Sequence, residues 1–476
     1  MSAAVDVAVI GGGIAGLAAA YELTRRGVSC VVLEESGRAG GVILSERIDG
    51  FTIDAGPDAL LIQKPAAIAL CEELGLGERL VPTSLPRFAY ILRDERLHVL
   101  PSGSVLGIPT RPGPFLATSL FSWRGKLRMG AERFIPPRAD TADESIGSFM
   151  TRRFGIEATR YLAEPLLAGI HAGDVDRLSM KALFPRFLEA ERKQGSLLEA
   201  FRRTAHARST AEGAFKSLPG GLSEMTDALV AALPPGTIRV DAGVLGIAGA
   251  GPFEIEAAAG TRVSARAAIL AVPAWAAADL LRGRDAALAA LCGEIRYASA
   301  MTVALAFRRE EVAHPLNGSG FVVPRVEAPR MLAASWLSSK WPYRAPAGRV
   351  LMRAFFGGMR DPDALQMSDA QAVDRAMEGL TPILGLRAQP LLARVYRWPR
   401  ANAQHEVGHL DRLAAIEAAL ARHPGLFLTG SGFRGVGIPD CVADGRATAR
   451  AALDWLHNRV DGKREANQPR TLHREP

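Results

Sequence analysis

Three glycines, Gly11, Gly13 and Gly16, stand in G-x-G-x-x-G spacing between an apolar run, Val5 to Ile10, and a helix-forming run, Leu17 to Arg26. In that setting the first glycine permits a tight turn, the second lets backbone approach a pyrophosphate, and the third lets helix pack on strand. The helix N-terminus supplies free amides and a partial positive charge to the phosphates. Glu34 follows a second strand-like run, Cys30 to Leu33. A carboxylate there accepts hydrogen bonds from ribose hydroxyls and repels a 2′-phosphate. The chemistry predicted is binding of a dinucleotide. A second G-x-G-x-x-G, at Gly430, Gly432 and Gly435, follows the short strand Leu426 to Thr429. Too little chain remains after it for another ribose carboxylate, so it is expected to close over the same nucleotide. With one full nucleotide unit, no separate nicotinamide site is expected, and the reductant must be the substrate itself.

The elements that position these groups follow from the apolar periodicity. Strand, helix and second strand at the N-terminus make a βαβ unit, which implies a right-handed crossover and a doubly wound parallel α/β sheet. Strand-like runs Thr302 to Phe307, Gly320 to Val323 and Arg349 to Phe355 predict a mixed-sheet second domain. Residues 141–215 read as helical, and a helix is expected from Asp440 to Leu456 with a polar, disordered tail from 458.

The 476 residues carry 57 basic and 50 acidic side chains, 48 % hydrophobic and 22 % charged residues, an ordinary globular mixture. The arginines are spread along the chain, which speaks against nucleic acid as partner. Cys30, Cys71, Cys292 and Cys441 lie far apart without metal-ligand spacing, so no zinc site or disulfide framework is expected, and a reducing, cytoplasmic compartment fits best. Neither a signal peptide nor an apolar run long enough to span a bilayer is present.

After Glu34 come Arg38-Ala39-Gly40-Gly41 and Ala55-Gly56-Pro57, a stretch that resembles the flavin-containing amine oxidase superfamily and implies FAD as cofactor. Within it the chain resembles the flavin-dependent protoporphyrinogen and coproporphyrinogen oxidases of haem synthesis. The residues carrying this are Pro86-Arg87-Phe88, Gly169-Ile170-His171-Ala172-Gly173-Asp174, Leu218-Pro219-Gly220-Gly221-Leu222, Gly318-Ser319-Gly320-Phe321-Val322-Val323-Pro324, Gly408-His409-Leu410, and Gly435-Val436-Gly437 with Asp440-Cys441.

The resemblance implies oxidation of a porphyrinogen to the porphyrin by three rounds of hydride transfer to flavin. Protoporphyrinogen comes first and coproporphyrinogen is the alternative; oxygen or a membrane quinone is the acceptor, with peroxide released in the oxygen case. It implies a FAD-binding domain from segments 1–86, 213–289 and 398–457, a substrate domain from 87–98 and 290–397, and a helical, membrane-associated insertion at 99–212, in a homodimer. It assigns Gly169 to the approach of a pyrrole ring to the flavin, with no side-chain acid or base. Arg87 pairs with a substrate propionate, while Leu166, Ser319, Gly320, Val322, Ser335 and Phe355 line the substrate slot. To FAD it assigns Gly11, Gly12, Gly13, Ile14, Ala15, Gly16, Glu34, Glu35, Arg38, Gly41, Val42, Gly56, Pro57, Asp58, Val244, Trp398, Gly430, Val436, Gly437 and Ile438. His171 reads as a structural histidine.

Three positions depart from the pattern. Asp58 replaces a common asparagine and is expected to discourage a second propionate contact; residues 401–405 lack the usual proline and glutamine-tyrosine pair; and Gly430-Ser431-Gly432 lacks an acid after its strand. Phe115, Leu120, Phe121 and Trp123 beside Arg124, Lys126 and Arg128 have the make-up of a surface resting on one lipid leaflet, or of a lid. Another amine oxidase or desaturase of the superfamily, and a flavin-containing tetrapyrrole carrier, are the competing readings.

Overall fold

The computed structural model describes residues 3–101, 104–105, 108–205, 213–328 and 330–466. The chain forms two compact units, one of Met1–Gly41, Thr226–Glu294 and Ala415–Pro476, the other of Val42–Met225 and Ile295–Ala414.

In the first unit the strand Ala3–Ile10, the helix Ile14–Arg25 and the strand Cys30–Leu33 form the expected βαβ turn. Ala3–Ile10 lies between Cys30–Leu33 and Arg262–Leu270, both parallel to it, and Leu426–Leu428 pairs in parallel with Arg262–Leu270. Val7, Ala8, Val9 and Ile10 are all buried, which is why the sequence reads as an unbroken apolar run rather than an alternation. The register Ile10↔Leu270↔Leu428 ends three parallel strands at one level, so both glycine-rich turns leave the same edge of the sheet. The C-terminal helix Ile438–Ala466 packs on Ile14–Arg25 so closely that a Cβ on Gly445 would lie 2.3 Å from the Ala15 carbonyl oxygen. Glu22 accepts hydrogen bonds from Arg26, Arg446 and Arg450 and ties the two helices together. The tail expected from 458 is therefore helical as far as Ala466, and residues 467–476 lie outside the described residues.

The second unit is built on a seven-stranded sheet in the order Leu392–Ala403, Tyr297–Arg308, Arg349–Gly357, Ala333–Ser335, Gly320–Val322, Tyr90–Arg93, Arg96–Val99. One face, with Val303, Phe321, Ala334, Trp336, Ala354 and Phe356, closes a core together with the helix Asp369–Leu384. Residues beyond Gly41 belong here rather than with the nucleotide unit, because the hairpin Ser45–Ile48 and Phe51–Asp54 buries Phe51 and Ile53 against Leu337, Trp341 and Leu351. The helical portion has its own core of Phe149, Phe154, Phe187 and Phe201, beside a fully buried Arg153–Glu132 ion pair.

Within residues 101–137 the apolar cluster divides. Leu120 and Phe121 are buried in the helical core, and Lys126 is turned inward, donating to the Leu116 carbonyl at 2.7 Å. The outward surface is instead Leu116, Trp123, Leu127 and Phe134, with Trp123 and Leu127 one turn apart on the helix Trp123–Gly130. Among the described residues no helix is long and apolar enough to cross a membrane.

Candidate functional site

The first unit gathers the nucleotide-binding candidates at the C-terminal ends of its parallel strands. Gly11 has φ +104, and a Cβ there would lie 2.5 Å from the Ala271 carbonyl oxygen; a Cβ on Gly16 would lie 2.0 Å from the Gly11 carbonyl oxygen. The fold itself demands these two glycines. Gly13, by contrast, has nothing within 4 Å of the position its Cβ would take. It caps the helix Ile14–Arg25, whose first turn has no side-chain cap and no acidic residue, leaving amides for an anion. Ile14 and Ala15 occupy that first turn.

Glu34 accepts from the Gly12 amide at 2.6 Å through one oxygen and from the Ser36 amide at 2.9 Å through the other, so its carboxylate is fixed over the turn. The Gly40 amide donates to the Gly12 carbonyl at 2.8 Å, and a Cβ on Gly41 would lie 3.2 Å from the Gly13 Cα, which folds the second glycine pair onto the first. Arg38 reaches the Gly41 carbonyl; burial and the neighbouring acids Glu34 and Asp227 act on its guanidinium, and the net direction is downward. The Ala242 amide donates to the Glu34 carbonyl, and a Cβ on Gly243 would lie 3.1 Å from Glu35, so Val244 starts its strand beside the strand end where an adenosine is expected.

At the second glycine turn Gly430 has φ +118, while Val436 and Gly437 lead directly into Ile438 at the head of the C-terminal helix. The acid missing after the strand Leu426–Leu428 is supplied from that helix: Asp444 accepts from the Thr429 hydroxyl at 2.6 Å and the Gly430 amide at 3.2 Å. These observations fit a bound dinucleotide: an open cradle at Gly13, uncapped helix amides and an oriented carboxylate. Replacing Glu34 with alanine is expected to weaken FAD binding by about 10- to 100-fold, as for loss of hydrogen bonds to a charged group worth ~1.5–3 kcal/mol, in a titration of apoprotein followed by flavin fluorescence.

In the second unit the face of the large sheet opposite that core carries the substrate candidates. Gly320 pairs with Ser335 and Ser335 with Arg353; one step along, Val322 pairs with Ala333 and Ala333 with Phe355. Because alternate residues share a face, Gly320, Val322, Ser335, Arg353 and Phe355 stand on the side opposite the Phe321–Ala334–Ala354 core. The Ser335 hydroxyl oxygen is buried without a hydrogen-bond partner. Leu166 packs with Val322 on the helical core. Ser319 donates its amide to the Phe88 carbonyl at 2.8 Å; Arg87, one residue before Phe88, donates its Nε to the Thr83 carbonyl at 3.0 Å.

Gly169 ends a π-helix, Thr159–Ala168, that contains Pro165; such helices are rare and concentrate at functional sites. Its backbone is ordinary helix, φ −59, and its Cβ would meet only the Glu164 carbonyl oxygen, at 4.0 Å. The Gly169 carbonyl accepts from the Ala172 amide, and Ala172 packs beside Phe355. His171 lies edge-on to Phe184, and its carbonyl accepts from Gln404 Nε2 at 2.9 Å, so the unusual 401–405 run still braces this turn.

The loop 54–58 crosses the same sheet face. Trp398 Nε1 donates to the Ala55 carbonyl at 3.0 Å, and a Cβ on Gly56 would lie 2.1 Å from the Val42 carbonyl oxygen. Pro57 follows, and Asp58 ends the loop in a tight cluster: Arg353 Nη2 lies 3.0 Å from Oδ1, while Lys340 Nζ at 2.8 Å and Trp341 Nε1 at 2.7 Å donate to Oδ2. Burial opposes its ionisation, but Lys340 and Arg353 prevail and hold the carboxyl far below the usual carboxylate range. Asp58 therefore does not stand as an unpaired acid repelling a propionate, as its sequence position suggested. Arg344 pairs with Asp54 at 2.8 Å, both fully buried. Arg353, Lys340 and Trp341 were missed from sequence. The available signal was Arg353 itself, a cation inside the apolar strand Arg349–Gly357, which requires an acidic partner.

The model of the flavin-containing amine oxidoreductase family matches residues 14–453, and the chain belongs to that family. It is a flavin-dependent oxidoreductase by class. More particularly, it is 34 % identical over 464 residues to the coproporphyrinogen III oxidase of Bacillus subtilis, covering 94 % of this chain and 98 % of that one. It is 26 % identical to protoporphyrinogen oxidase 2 of Arabidopsis thaliana over 96 % of both chains. A crystal structure from Exiguobacterium sp. 255-15, assigned to protoporphyrinogen oxidase, superposes with a TM-score of 0.85 at 32 % identity over 95 % of this chain and 99 % of that one.

Proposed function

We propose that the protein oxidises a porphyrinogen to its porphyrin in haem synthesis, with coproporphyrinogen III as the substrate. The observation carrying this is that Gly320, Val322, Ser335 and Phe355 share one sheet face, with Leu166 and Val322 both on the adjoining helical core and Gly169 bonded to Ala172, which packs beside Phe355. Curated relatives at 31–34 % identity carry the name coproporphyrinogen III oxidase, while those at 26–29 % and the Exiguobacterium structure at 32 % carry the name protoporphyrinogen oxidase; the 34 % match across nearly the whole Bacillus subtilis enzyme supports coproporphyrinogen III.

FAD, when bound, supplies the two-electron acceptor for hydrogen leaving a saturated bridging carbon. The residues of the first unit hold its nucleotide half through Gly13, the helix amides and Glu34. Leu166, Val322 and Phe355 exclude water from the apolar macrocycle, and Gly169 leaves room for a pyrrole ring to reach its reacting distance. Arg87 pairs with a propionate, for which a permanently charged planar guanidinium is suited. No side-chain base is assigned: the charged groups around the slot face, Arg353, Lys340 and Asp58, are bound to one another. Formation of an aromatic product supplies the driving force, so positioning carries the catalysis. Oxygen serves as acceptor.

The purified protein is expected to be yellow and to make fluorescent coproporphyrin and peroxide from coproporphyrinogen in air. Turnover only of protoporphyrinogen would move the substrate assignment, and a colourless protein with no turnover of either would end it.

The outward face of Leu116, Trp123, Leu127 and Phe134, beside the exposed Arg124 and Arg133, supports peripheral contact with an anionic bilayer. Flotation with anionic vesicles is expected to carry the protein upward, and the double change Trp123→Ser, Leu127→Ser to lower the partition constant by at least about 100-fold, given ~1.5–3 kcal/mol for each apolar side chain withdrawn. Equal flotation of both proteins counts against this face.

A further inference from the structure

We infer that Lys340 is a second carboxylate-binding cation of the substrate slot, held in position by Asp58; this rests on the porphyrinogen reading above. The charge count around the loop 54–58 is uneven. Two acids, Asp54 and Asp58, face three cations, Lys340, Arg344 and Arg353, and all three ion pairs are 3.0 Å or shorter. Asp58 is fully engaged as a counter-charge: both of its oxygens are taken, one by Arg353 and the other by Lys340 and Trp341. Arg353 donates Nη1 to the Asp54 and Gly56 carbonyls, and its one unpartnered donor, Nε, is fully buried and out of a ligand's reach. Lys340 differs, since an ammonium has three N–H donors and Asp58 engages one. Asp58 is its sole anionic partner among the described residues. Its side chain is 15 % exposed, so it is mostly withdrawn from water but still reachable. Such a cation gains from an added anion, because partial burial next to an excess of positive charge is costly until a counter-charge is supplied.

The backbone places Lys340 beside Arg87. The Ser84 amide donates to the Lys340 carbonyl at 3.0 Å, while the Thr83 carbonyl accepts from Arg87 Nε. Lys340 Nζ lies 5.8 Å from the Phe215 ring centroid, and Arg87 packs on Gly213, where a Cβ would meet its Nε at 2.8 Å. Both cations are thus tied to residues 83–84 and lean on residues 213–215. Lys340 also follows Ser335 closely in the chain and joins Arg353 through Asp58 at the slot face. A substrate carrying carboxylates around its rim can engage Arg87 with one and Lys340 with another. A tetracarboxylate such as coproporphyrinogen offers more such pairs than a dicarboxylate.

The test compares holoenzyme with Lys340→Met and Lys340→Arg, using coproporphyrinogen III for turnover, and coproporphyrin and its tetramethyl ester for equilibrium binding by fluorescence. Lys340→Met is expected to raise KM by about tenfold with kcat within about threefold, to weaken binding of the free acid equally, and to leave binding of the ester unchanged. Lys340→Arg is expected to recover most of the loss. An unchanged KM, or acid and ester weakened alike, overturns the inference while leaving the porphyrinogen reading intact. Wild-type protein that oxidises neither porphyrinogen overturns both. If Lys340→Met does not fold, Lys340→Gln carries the same acid-against-ester comparison.

Discussion

Replacing Gly169 with alanine is expected to lower kcat/KM for porphyrinogen by about 10²-fold, the loss that follows from displacing a reacting centre by about 1 Å, without loss of stability. The two halves of this expectation have different origins. Stability is retained because Gly169 has φ −59, a helical value open to every residue, and because its added Cβ would touch only the Glu164 carbonyl oxygen at 4.0 Å. Alanine has the higher helix propensity, by about 1 kcal/mol, so the melting temperature is expected to hold or rise. Activity is expected to fall because the methyl group would enter the space beside Ala172 and Phe355 that the proposed function gives to a pyrrole ring. Steady-state kinetics and thermal unfolding on the same preparation check both halves. Retained activity would reduce Gly169 to a helix-end glycine, and a lowered melting temperature would make any kinetic loss uninterpretable as steric exclusion.

Much of this site is legible along the chain because its determinants are local. The turn at residues 11–16 needs only its own backbone and two flanking strands, so spacing suffices to identify it. The slot residues could be placed through family resemblance, but their convergence on one face depends on the pairings Gly320↔Ser335 and Ser335↔Arg353, which join distant segments. Asp58 shows the limit most clearly. Read alone it is an unpaired acid in a loop; its charge is set by Lys340, Trp341 and Arg353, all remote in sequence. Likewise, composition identifies residues 101–137 as apolar and basic, but amphipathic burial divides them. Leu120 and Phe121 satisfy the helical core, while Leu116, Trp123, Leu127 and Phe134 remain outside. The acid absent after the strand Leu426–Leu428 could not be found locally either, since Asp444 arrives from the next helix.

Glycines required by the fold respond to substitution differently from a glycine required by a ligand, and a second large effect is expected from the difference. Gly16→Ala is expected to destabilise the first unit whether or not flavin is present, because its Cβ would lie 2.0 Å from the Gly11 carbonyl oxygen, a backbone atom that cannot move aside. Gly13→Ala is expected to leave the apoprotein's melting temperature unchanged, since nothing lies within 4 Å of the new Cβ and φ is −70. Yet the methyl group would project into the space above the uncapped amides of the helix Ile14–Arg25, the place proposed for the FAD pyrophosphate. Affinity for FAD is expected to fall by at least about 100-fold, or ~2.7 kcal/mol. The protein would be isolated colourless and would lose the stabilisation that added FAD gives the wild type. Titration of FAD into both apoproteins, with thermal unfolding at each concentration, decides the matter. A Gly13→Ala protein that is yellow as isolated would mean that the cradle faces no phosphate, and that the open volume at Gly13 has no ligand to explain it.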